Sequence, residues 1–269
     1  MTTSPIPATH AAPGVDPDEL DRHVAQMYRD VANEAVHDLH FHTGRGLAEA
    51  LGYPAGLLDR LPAGAVSSFA GVGYHFGLAD LVAGERVLDL GSGSGTDVFA
   101  AAVAVGPRGW VTGVDITPEQ LAKAERLRAE ENVTFRQARI EELPFDDASF
   151  DVVISNGVVN LSADKPGVFA EVARVLRPGG RLALADIVTE DPIAARTAAQ
   201  PDLWAACIAG AGQRDDYLQD IAAAGLALRS VRRNSAYGFA SERAQRTSAK
   251  YGAHTIELLA VKPSDEVSK

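Results

Sequence analysis

A glycine-rich segment between a predicted strand and a predicted helix constrains the fold of this chain more than any other sequence feature. The strand is the short run RVLDL, the segment is DLGSGSG, and the alanine-rich helix DVFAAAVAV follows it. Glycine lets backbone N–H groups approach a ligand that a Cβ atom would exclude. A strand, a glycine turn and a helix in this order are typical of the first unit of a doubly wound α/β sheet.

The segments that follow alternate between strand and helix patterns. The predicted strands are WVTGVD, VTFR, FDVVIS and RLALADIV, and the predicted helices are TPEQLAKAERLRAE and KPGVFAEVARVL. Thr117 and Gln120 are predicted to form a capping box at the first of these helices. A helix near YLQDIAAAG and two late strands, LALRSVRR and TIELLAVK, follow. The pattern predicts an α/β fold with a Rossmann-like, doubly wound, mostly parallel seven-stranded sheet.

The chain before this region has a different character. Residues 1–15 are rich in Pro, Thr and Ala and are predicted to form a disordered leader. Residues 16–80 hold an amphipathic helix and short helical pieces separated by Gly and Pro, which predicts an N-terminal helical cap. The main domain is predicted at residues 81–263, and a tail at residues 264–269.

Composition restricts the partners. Asp and Glu number 36 against 25 Lys and Arg, so the net charge of -11 disfavours nucleic acid and anionic membrane surfaces as partners. Cys207 is the single cysteine of the chain, which excludes an internal disulfide and a multi-cysteine metal site. The sequence has neither a long apolar run nor the pattern of a secretory signal. We therefore expect a cytoplasmic protein, and the sequence leaves its oligomeric state open.

Asp115 ends the second predicted strand, twenty residues after Gly95. A carboxylate at this place can accept hydrogen bonds from both hydroxyls of a ribose, so an adenosine-bearing cofactor is predicted at the carboxyl ends of the strands. NAD is the competing ligand, but its fingerprint requires Gly or Ala where this chain has Thr96. The charge of Asp89, just before the turn, would favour a cationic cofactor and repel a pyrophosphate.

Several segments resemble the class I S-adenosylmethionine-dependent methyltransferases. They are VLDLGSGSG, GVD with TPEQLAKA, IEELPFDDASFDVVIS and RVLRPGG, in the family's order and spacing over residues 85–187. The resemblance implies S-adenosyl-L-methionine as the cofactor and methyl transfer as the activity. It also implies that the glycines follow the methionine part, that Asp115 holds the ribose and that Ile116 packs on the adenine. The full implied cofactor-binding set is Asp89, Gly91, Gly93, Gly95, Asp115, Ile116, Ile140, Glu141 and Asn156.

Ile140 and Glu141 lie where the family borders the adenine, whereas Arg139 differs from the acidic or polar residue that is usual there. Ser155 and Asn156 would line the methyl-donor pocket from the end of the fourth strand.

A closer resemblance is to the arsenite methyltransferases. SSFAGVGYHFGLADL, VISNGVVNLSADKPGVFAEVARVLRPGG and DLWAACIAGA carry it, and it covers about residues 66–262. That family binds trivalent arsenic between thiolates, which are soft ligands for a soft centre. Here Gly157, and Val72 or its neighbour, stand at cysteine positions, so that Cys207 alone remains. The resemblance therefore implies the fold and the cofactor, but predicts a different acceptor, a small organic metabolite.

The candidate catalytic residues are His75, Asn156 and Cys207. His75 belongs to a Tyr-His-Phe segment that we expect to form a wall of the acceptor pocket together with Asn156. A base is needed only where the acceptor must lose a proton. Cys207 also fits a buried, inert thiol beside Trp204. Tyr28, on the first helix, is a candidate for closing over the cofactor.

His37, His40 and His42 form a histidine cluster, but no acid or cysteine nearby completes a ligand set, so no metal site is predicted. Three alternatives to methylation of an organic molecule stay open at this point. They are a genuine arsenite methyltransferase that uses Cys207 with external thiols, a non-catalytic S-adenosylmethionine-binding module, and an NAD-dependent dehydrogenase.

Overall fold

The computed structural model describes residues 17–33, 41–194, 197 and 209–264. Its helices are α1 (Pro17–Ala32), α2 (Arg45–Leu51), α3 (Ala55–Leu58), α4 (Ala63–Ser67), α5 (Phe76–Ala79), α6 (Thr96–Val105), α7 (Pro118–Leu127), α8 (Lys165–Val175), α9 (Arg214–Ala223) and α10 (Glu242–Tyr251). Its strands are β1 (Arg86–Leu90), β2 (Trp110–Asp115), β3 (Val133–Gln137), β4 (Phe150–Asn156), β5 (Leu176–Thr189), β6 (Gly212–Gln213), β7 (Ala227–Asn234) and β8 (His254–Val261). A 3₁₀ turn spans Val159–Leu161.

The strands form one sheet in the order β3-β2-β1-β4-β5-β8-β7, and the two-residue β6 pairs with β5. Strands β1 to β5 are parallel, while β8 is antiparallel to both of its neighbours. This order confirms the predicted Rossmann-like fold. The strand order reverses between β1 and β4, and ligands of open α/β sheets bind at such a reversal, outside the carboxyl ends of the strands.

Both faces of the sheet are covered by apolar side chains. Val87 of β1 packs in a cluster with α2 and α6, whereas its neighbour Leu88 packs in a second cluster with α8. Successive side chains of a strand point to opposite faces, so β1 is buried on both sides. The glycine turn therefore starts from a strand whose position is fixed.

The N-terminal helices do not form a layer of their own. Leu47, Leu51 and Leu58 share one buried cluster with residues of β1 and β4. The amphipathic helix α1 buries Leu20 and Val24 in another cluster at the carboxyl edge of the sheet. The predicted boundary at residue 81 thus does not separate two hydrophobic cores. The predicted leader and residues 265–269 of the predicted tail lie outside the described residues.

Two local predictions differ from the structure. The predicted capping box at α7 is wrong, because the Thr117 side chain makes no capping bond. The Thr117 backbone N–H instead donates to Asp115 Oδ1 at 2.8 Å, and Gln120 Nε2 donates to the carbonyl of Tyr28 at 2.8 Å. Helix α10 was not predicted, since it buries only Ala244, Ser248 and Tyr251.

Across the described ranges, no helix combines the length and the apolar character that a membrane crossing requires. Within the same ranges, no group of three or more His, Cys, Asp or Glu side chains is placed to hold a metal ion.

Candidate cofactor and active site

A cavity opens at the carboxyl ends of β1, β2 and β4, at the reversal of strand order. Together with the open solvent at its mouth, it holds about 970 Å³ of space between protein atoms. The glycine turn, the segment 68–71, helix α1 and the 3₁₀ turn supply its walls. The structure brings most of the predicted cofactor set to this cavity: Asp89, Gly91, Gly93, Asp115, Ile116, Ile140, Glu141 and Asn156.

Two glycines of the turn, Gly93 and Gly95, are required for different structural reasons. Gly93 has a φ of +51° and faces the cavity, and a Cβ there would have Gln120 Oε1 at 3.8 Å as its nearest neighbour. Gly95 does not line the cavity, contrary to its predicted place in the cofactor set. It precedes α6 with a φ of +92°, and a Cβ would lie 2.8 Å from Phe99 and 3.0 Å from Phe135. Close packing of the helix start, rather than ligand approach, therefore requires glycine at position 95.

Asp115 links the glycine turn to helix α7. Its Oδ2 accepts from the N–H of Gly93 at 2.9 Å, and its Oδ1 accepts from the N–H of Thr117 at 2.8 Å. Burial raises the pKa of this carboxyl, while the bonds from Thr117 and Gly93 act in the opposite direction. The carboxylate also lines the cavity, where its oxygens can accept bonds from the hydroxyls of a ligand.

Asp89 presents an incompletely satisfied carboxylate to the cavity. The residue is 2% exposed, and its Oδ2 has no hydrogen-bond partner. Burial, together with the charges of Asp97 and Asp115, holds its pKa well above the usual range. A buried carboxylate without a partner is costly, and a ligand with a positive charge would relieve that cost. This arrangement fits S-adenosylmethionine, which carries an ammonium and a sulfonium.

Asn156 lines the cavity, but its amide is already occupied. Oδ1 accepts from the N–H groups of Val72 at 2.8 Å and Gly73 at 3.2 Å. Nδ2 is within hydrogen-bond distance of Tyr53 Oη at 3.1 Å, Asp97 Oδ2 at 3.1 Å and the carbonyl of Gly73 at 3.0 Å. The side chain thus fastens the 72–73 segment to the end of β4. The neighbouring Ser155 is buried and does not line the cavity.

Asp97 is a cavity residue that sequence analysis missed. Its Oδ1 accepts from the hydroxyl of Tyr53 at 2.6 Å, and its Oδ2 accepts from Asn156. Its position in the first turn of α6, directly after the glycine turn, could have indicated that it lies at the cavity. The partner Tyr53 lies 44 residues earlier, so the pair could not be predicted from local sequence.

At the opposite end of the cavity, Ile116, Ile140 and Glu141 form the wall where adenine is expected. Glu141 accepts a hydrogen bond from the Ser162 hydroxyl. Arg139 does not line this cavity, but it forms ion pairs with two residues that do, Asp21 of α1 and, at 3.6 Å, Glu141.

Helix α1 covers part of the opening. Val24 and Tyr28 line the cavity, and the Tyr28 ring stacks on Phe41 with centroids 6.1 Å apart. Arg29 Nε contacts Glu119 Oε1 of α7 at 2.7 Å, and Gln120 holds the backbone of Tyr28. The structure therefore places Tyr28 at the cavity, where a residue that closes over the cofactor would have to lie.

His75 lies away from the cavity. It is 0% exposed, its ring stacks on Phe76 at 4.6 Å, and neither ring nitrogen has a hydrogen-bond partner. Burial lowers its pKa, so the imidazole is neutral at neutral pH. The acceptor wall predicted for this segment is thus not formed by His75. Cys207, Trp204, His37 and His40 lie outside the described residues.

Gly157 packs against Val72, and the resemblance places cysteines at position 157 and at position 72 or its neighbour. Neither lines the cavity, and Val72 is 1% exposed. Gly157 has a φ of +76°, and a Cβ there would lie 3.1 Å from Val72 Cγ1. Neither residue therefore enlarges the cavity.

A buried polar cluster fixes the 3₁₀ turn beside the cavity. Asp186 Oδ1 accepts from Asn160 Nδ2 at 2.7 Å and from the N–H of Ile187 at 2.8 Å. Its Oδ2 accepts from the N–H of Asn160 at 3.1 Å and from the Tyr217 hydroxyl at 3.0 Å. Burial raises the pKa of Asp186 to about 6. Leu161 follows Asn160 and lines the cavity, whereas Asp186, Asn160 and Tyr217 do not. The cluster therefore positions the cavity wall from behind.

Comparison with known proteins agrees with this geometry. A family model described as a methyltransferase domain matches residues 81–225. An arsenite methyltransferase of Halobacterium salinarum is 46% identical over 172 residues, which are 63% of this chain and 44% of that protein. The 27-O-demethylrifamycin SV methyltransferase of Amycolatopsis mediterranei is 40% identical over 116 residues, which are 42% of each chain. This chain therefore spans less than half the length of these curated relatives.

The crystal structure of an arsenic(III) S-adenosylmethionine methyltransferase from Chlamydomonas reinhardtii superposes with a TM-score of 0.61 at 29% identity. The match covers 84% of this chain and 76% of that one. These matches leave the dehydrogenase alternative without support. Since the family model covers more than half of the chain, and the cavity suits the family's cofactor, the chain belongs to the class I S-adenosylmethionine-dependent methyltransferases, within which its sequence is of the arsenite methyltransferase-like type.

Proposed function

We propose that this protein transfers a methyl group from S-adenosyl-L-methionine to a small-molecule acceptor, and that this acceptor is an organic metabolite. The observation that carries the proposal is that Asp89, Gly93 and Asp115 share one cavity, where the buried Oδ2 of Asp89 has no hydrogen-bond partner. The single cysteine and the acidic composition further support a cytoplasmic enzyme without a nucleic-acid or membrane partner.

The residues of the chain bind and orient the cofactor. The backbone of the glycine turn follows the methionine part, and Asp89 offsets its positive charge. Asp115 accepts hydrogen bonds from the ribose hydroxyls. Ile116 and Ile140 pack on the adenine, beside Glu141. When bound, S-adenosylmethionine supplies a methyl group that its sulfonium already activates.

The remaining walls align the acceptor and exclude water. Tyr28 and Leu161 cover the cavity from two sides, and a dry site favours a transfer in which charge is dispersed. Asn156 contributes by holding the 72–73 segment, since its amide is occupied by protein partners. We therefore assign Asn156 a positioning role rather than that of a general base.

Arsenite methylation is the second candidate, because two of the similar proteins are described as methyltransferases of arsenite or arsenic(III). The metalloid would then depend on Cys207 together with thiols from solution. A site with one protein thiolate holds arsenic weakly, so we expect slow arsenite methylation or none.

A labelled-methyl assay separates the two candidates. Labelled S-adenosylmethionine is supplied with arsenite and excess thiol, or with a fractionated metabolite extract, to wild type and Cys207→Ser. We expect label in an organic product from both proteins. Rapid formation of methylarsenicals that Cys207→Ser abolishes would establish arsenite as the substrate instead. Failure of the purified protein to bind S-adenosylmethionine in calorimetry would overturn the cofactor assignment itself.

A further inference from the structure

The side chain of Gln120 links two parts of the cavity wall that are far apart in the sequence. Its Oε1 accepts a hydrogen bond from the hydroxyl of Ser94, in the glycine turn, at 2.5 Å. Its Nε2 donates to the carbonyl of Tyr28, on helix α1, at 2.8 Å. All three residues line the cavity. One amide thus connects the glycine turn to the helix that covers part of the opening.

The polar groups of this link are shielded from water. Gln120 is 2% exposed and Ser94 is 4% exposed. A buried amide that loses a hydrogen-bond partner costs more free energy than an exposed one, because water does not replace the partner. Displacement of α1 would remove the acceptor of Gln120 Nε2. The link therefore favours the position of α1 in which Tyr28 lies over the cavity.

Gln120 belongs to a part of the fold that is held in place without α1. Helix α7, which carries it, packs against β2 and β3 of the sheet. At the start of α7, the N–H of Thr117 donates to Asp115, which also accepts from the N–H of Gly93. The glycine turn and α7 are thus joined to each other, and α1 is attached to both through Gln120.

The other contacts between α1 and α7 lie outside the cavity. Arg29 Nε pairs with Glu119 at 2.7 Å, but the two side chains are 41% and 35% exposed, and exposed ion pairs contribute little. Lys123 Nζ donates to the carbonyl of Ala32 at 3.2 Å. None of these four residues lines the cavity. Of these contacts between the two helices, the Gln120 bond is the one that acts at the cavity.

Helix α1 also borders open space on a second face. A groove lined in part by Arg22, Ala25 and Arg139 holds about 630 Å³, including the open solvent at its mouth. Asp21 and Ile116 line both this groove and the cavity. The helix is therefore a partition between two spaces, so that individual contacts such as the Gln120 bond determine how firmly it is held.

We propose that Gln120 is a positioning residue of the cofactor site, which holds Tyr28 closed over the cavity by bonding α1 to the glycine turn. The inference rests on the proposed function, in which this cavity binds S-adenosylmethionine. Helix α1 covers part of the opening through which S-adenosylmethionine enters and S-adenosylhomocysteine leaves. Loss of the link frees the opening in both directions, and so accelerates binding as well as release.

The test measures the rate constants for binding and release of S-adenosylhomocysteine, by surface plasmon resonance on the full chain. Gln120→Met keeps an unbranched side chain of high helix propensity but lacks the amide. We expect this variant to raise both rate constants roughly threefold or more, as loss of one hydrogen bond implies, while Kd changes less than either. Loss of a direct bond to the ligand would instead raise the release rate alone.

Two controls separate the link from a general loss of stability. Glu119→Gln weakens the exposed ion pair between the same two helices, and it should leave both rate constants within about twofold of the wild-type values. Hydrogen exchange followed by mass spectrometry should show faster amide exchange in α1 of Gln120→Met, and unchanged exchange in α8.

Unchanged rate constants in folded Gln120→Met, or faster release with an unchanged binding rate, would overturn the inference. Equal acceleration of amide exchange in α1 and α8 would overturn it as well, because it would show a general loss of stability. Failure of the wild type to bind S-adenosylhomocysteine, with amide exchange in α1 still faster in Gln120→Met, would instead count against the proposed function.

Discussion

Replacement of Asp115 tests how the ribose is held. Its two oxygens already accept backbone bonds at 2.9 and 2.8 Å, and we propose that they also accept the two ribose hydroxyls. Each charge-assisted bond contributes about 1.5–3 kcal/mol. In Asp115→Ala, loss of a single ribose bond sets a lower bound of roughly tenfold in Kd, since tenfold corresponds to about 1.4 kcal/mol. Loss of both bonds raises the expected effect to roughly a hundredfold or more.

Asp115→Asn separates charge from shape. The amide keeps one acceptor oxygen, but its Nδ2 must face the N–H of either Gly93 or Thr117, so we expect a loss of affinity between those of wild type and Asp115→Ala. Calorimetric titration with S-adenosylmethionine gives Kd, and thermal melts establish that each variant is folded. The exposed Asp216→Ala is the matched control. Unchanged affinity in a folded Asp115→Ala would show that the ribose is held elsewhere and refute the reasoning.

Three further substitutions test separate parts of the site. Gly93→Val should abolish cofactor binding in calorimetry, because its φ of +51° is unfavourable for valine and the side chain would enter the cavity; retained binding would contradict the assignment of the turn. Asp186→Asn should raise the KM for S-adenosylmethionine severalfold with a smaller change in kcat, because the amide cannot accept the four bonds that position the 3₁₀ turn; an unchanged KM would show that the cluster does not support the cavity wall. The wild type should lose stability as the pH falls below ~6.5, because its unfolded state takes up a proton on His75 that the buried ring in the folded state does not. His75→Leu removes this proton uptake and should therefore lose less stability over the same pH range. Urea unfolding at two pH values measures the loss in each protein, and an equal loss in both would contradict the reasoning.

The sheet could be predicted because its strands have clear sequence boundaries. RVLDL and WVTGVD are short apolar runs bounded by charged or glycine residues, and both strands appear where these runs lie. Helix α10 could not be predicted in the same way. It is held by the Ser241 cap and by three buried residues, a pattern too sparse to distinguish from a solvated loop.

The residues at the cofactor end of the cavity could be predicted from their local sequence, whereas the walls of the cavity depend on contacts between residues far apart in the sequence. Asp89, Gly93 and Asp115 line the cavity, and this placement could be predicted from their positions at or just after strand ends. Gln120 fits a capping box by sequence, but tertiary contact with Tyr28 takes its amide elsewhere. His75 is adjacent to a segment that reaches the site, and only the packing of its ring on Phe76 shows that it points into the core.

The contact between Val72 and Gly157 limits how such a sequence can change. A cysteine at position 157 would adopt a φ of +76°, which is unfavourable for any residue with a Cβ, and its Cβ would be crowded by Val72. A smaller residue at position 72, introduced alone, would leave a void in a buried cluster. Each single step is therefore destabilising, and the two are expected to be less harmful together. The two positions should behave epistatically, so that thiols at both are less costly to introduce together than one at a time.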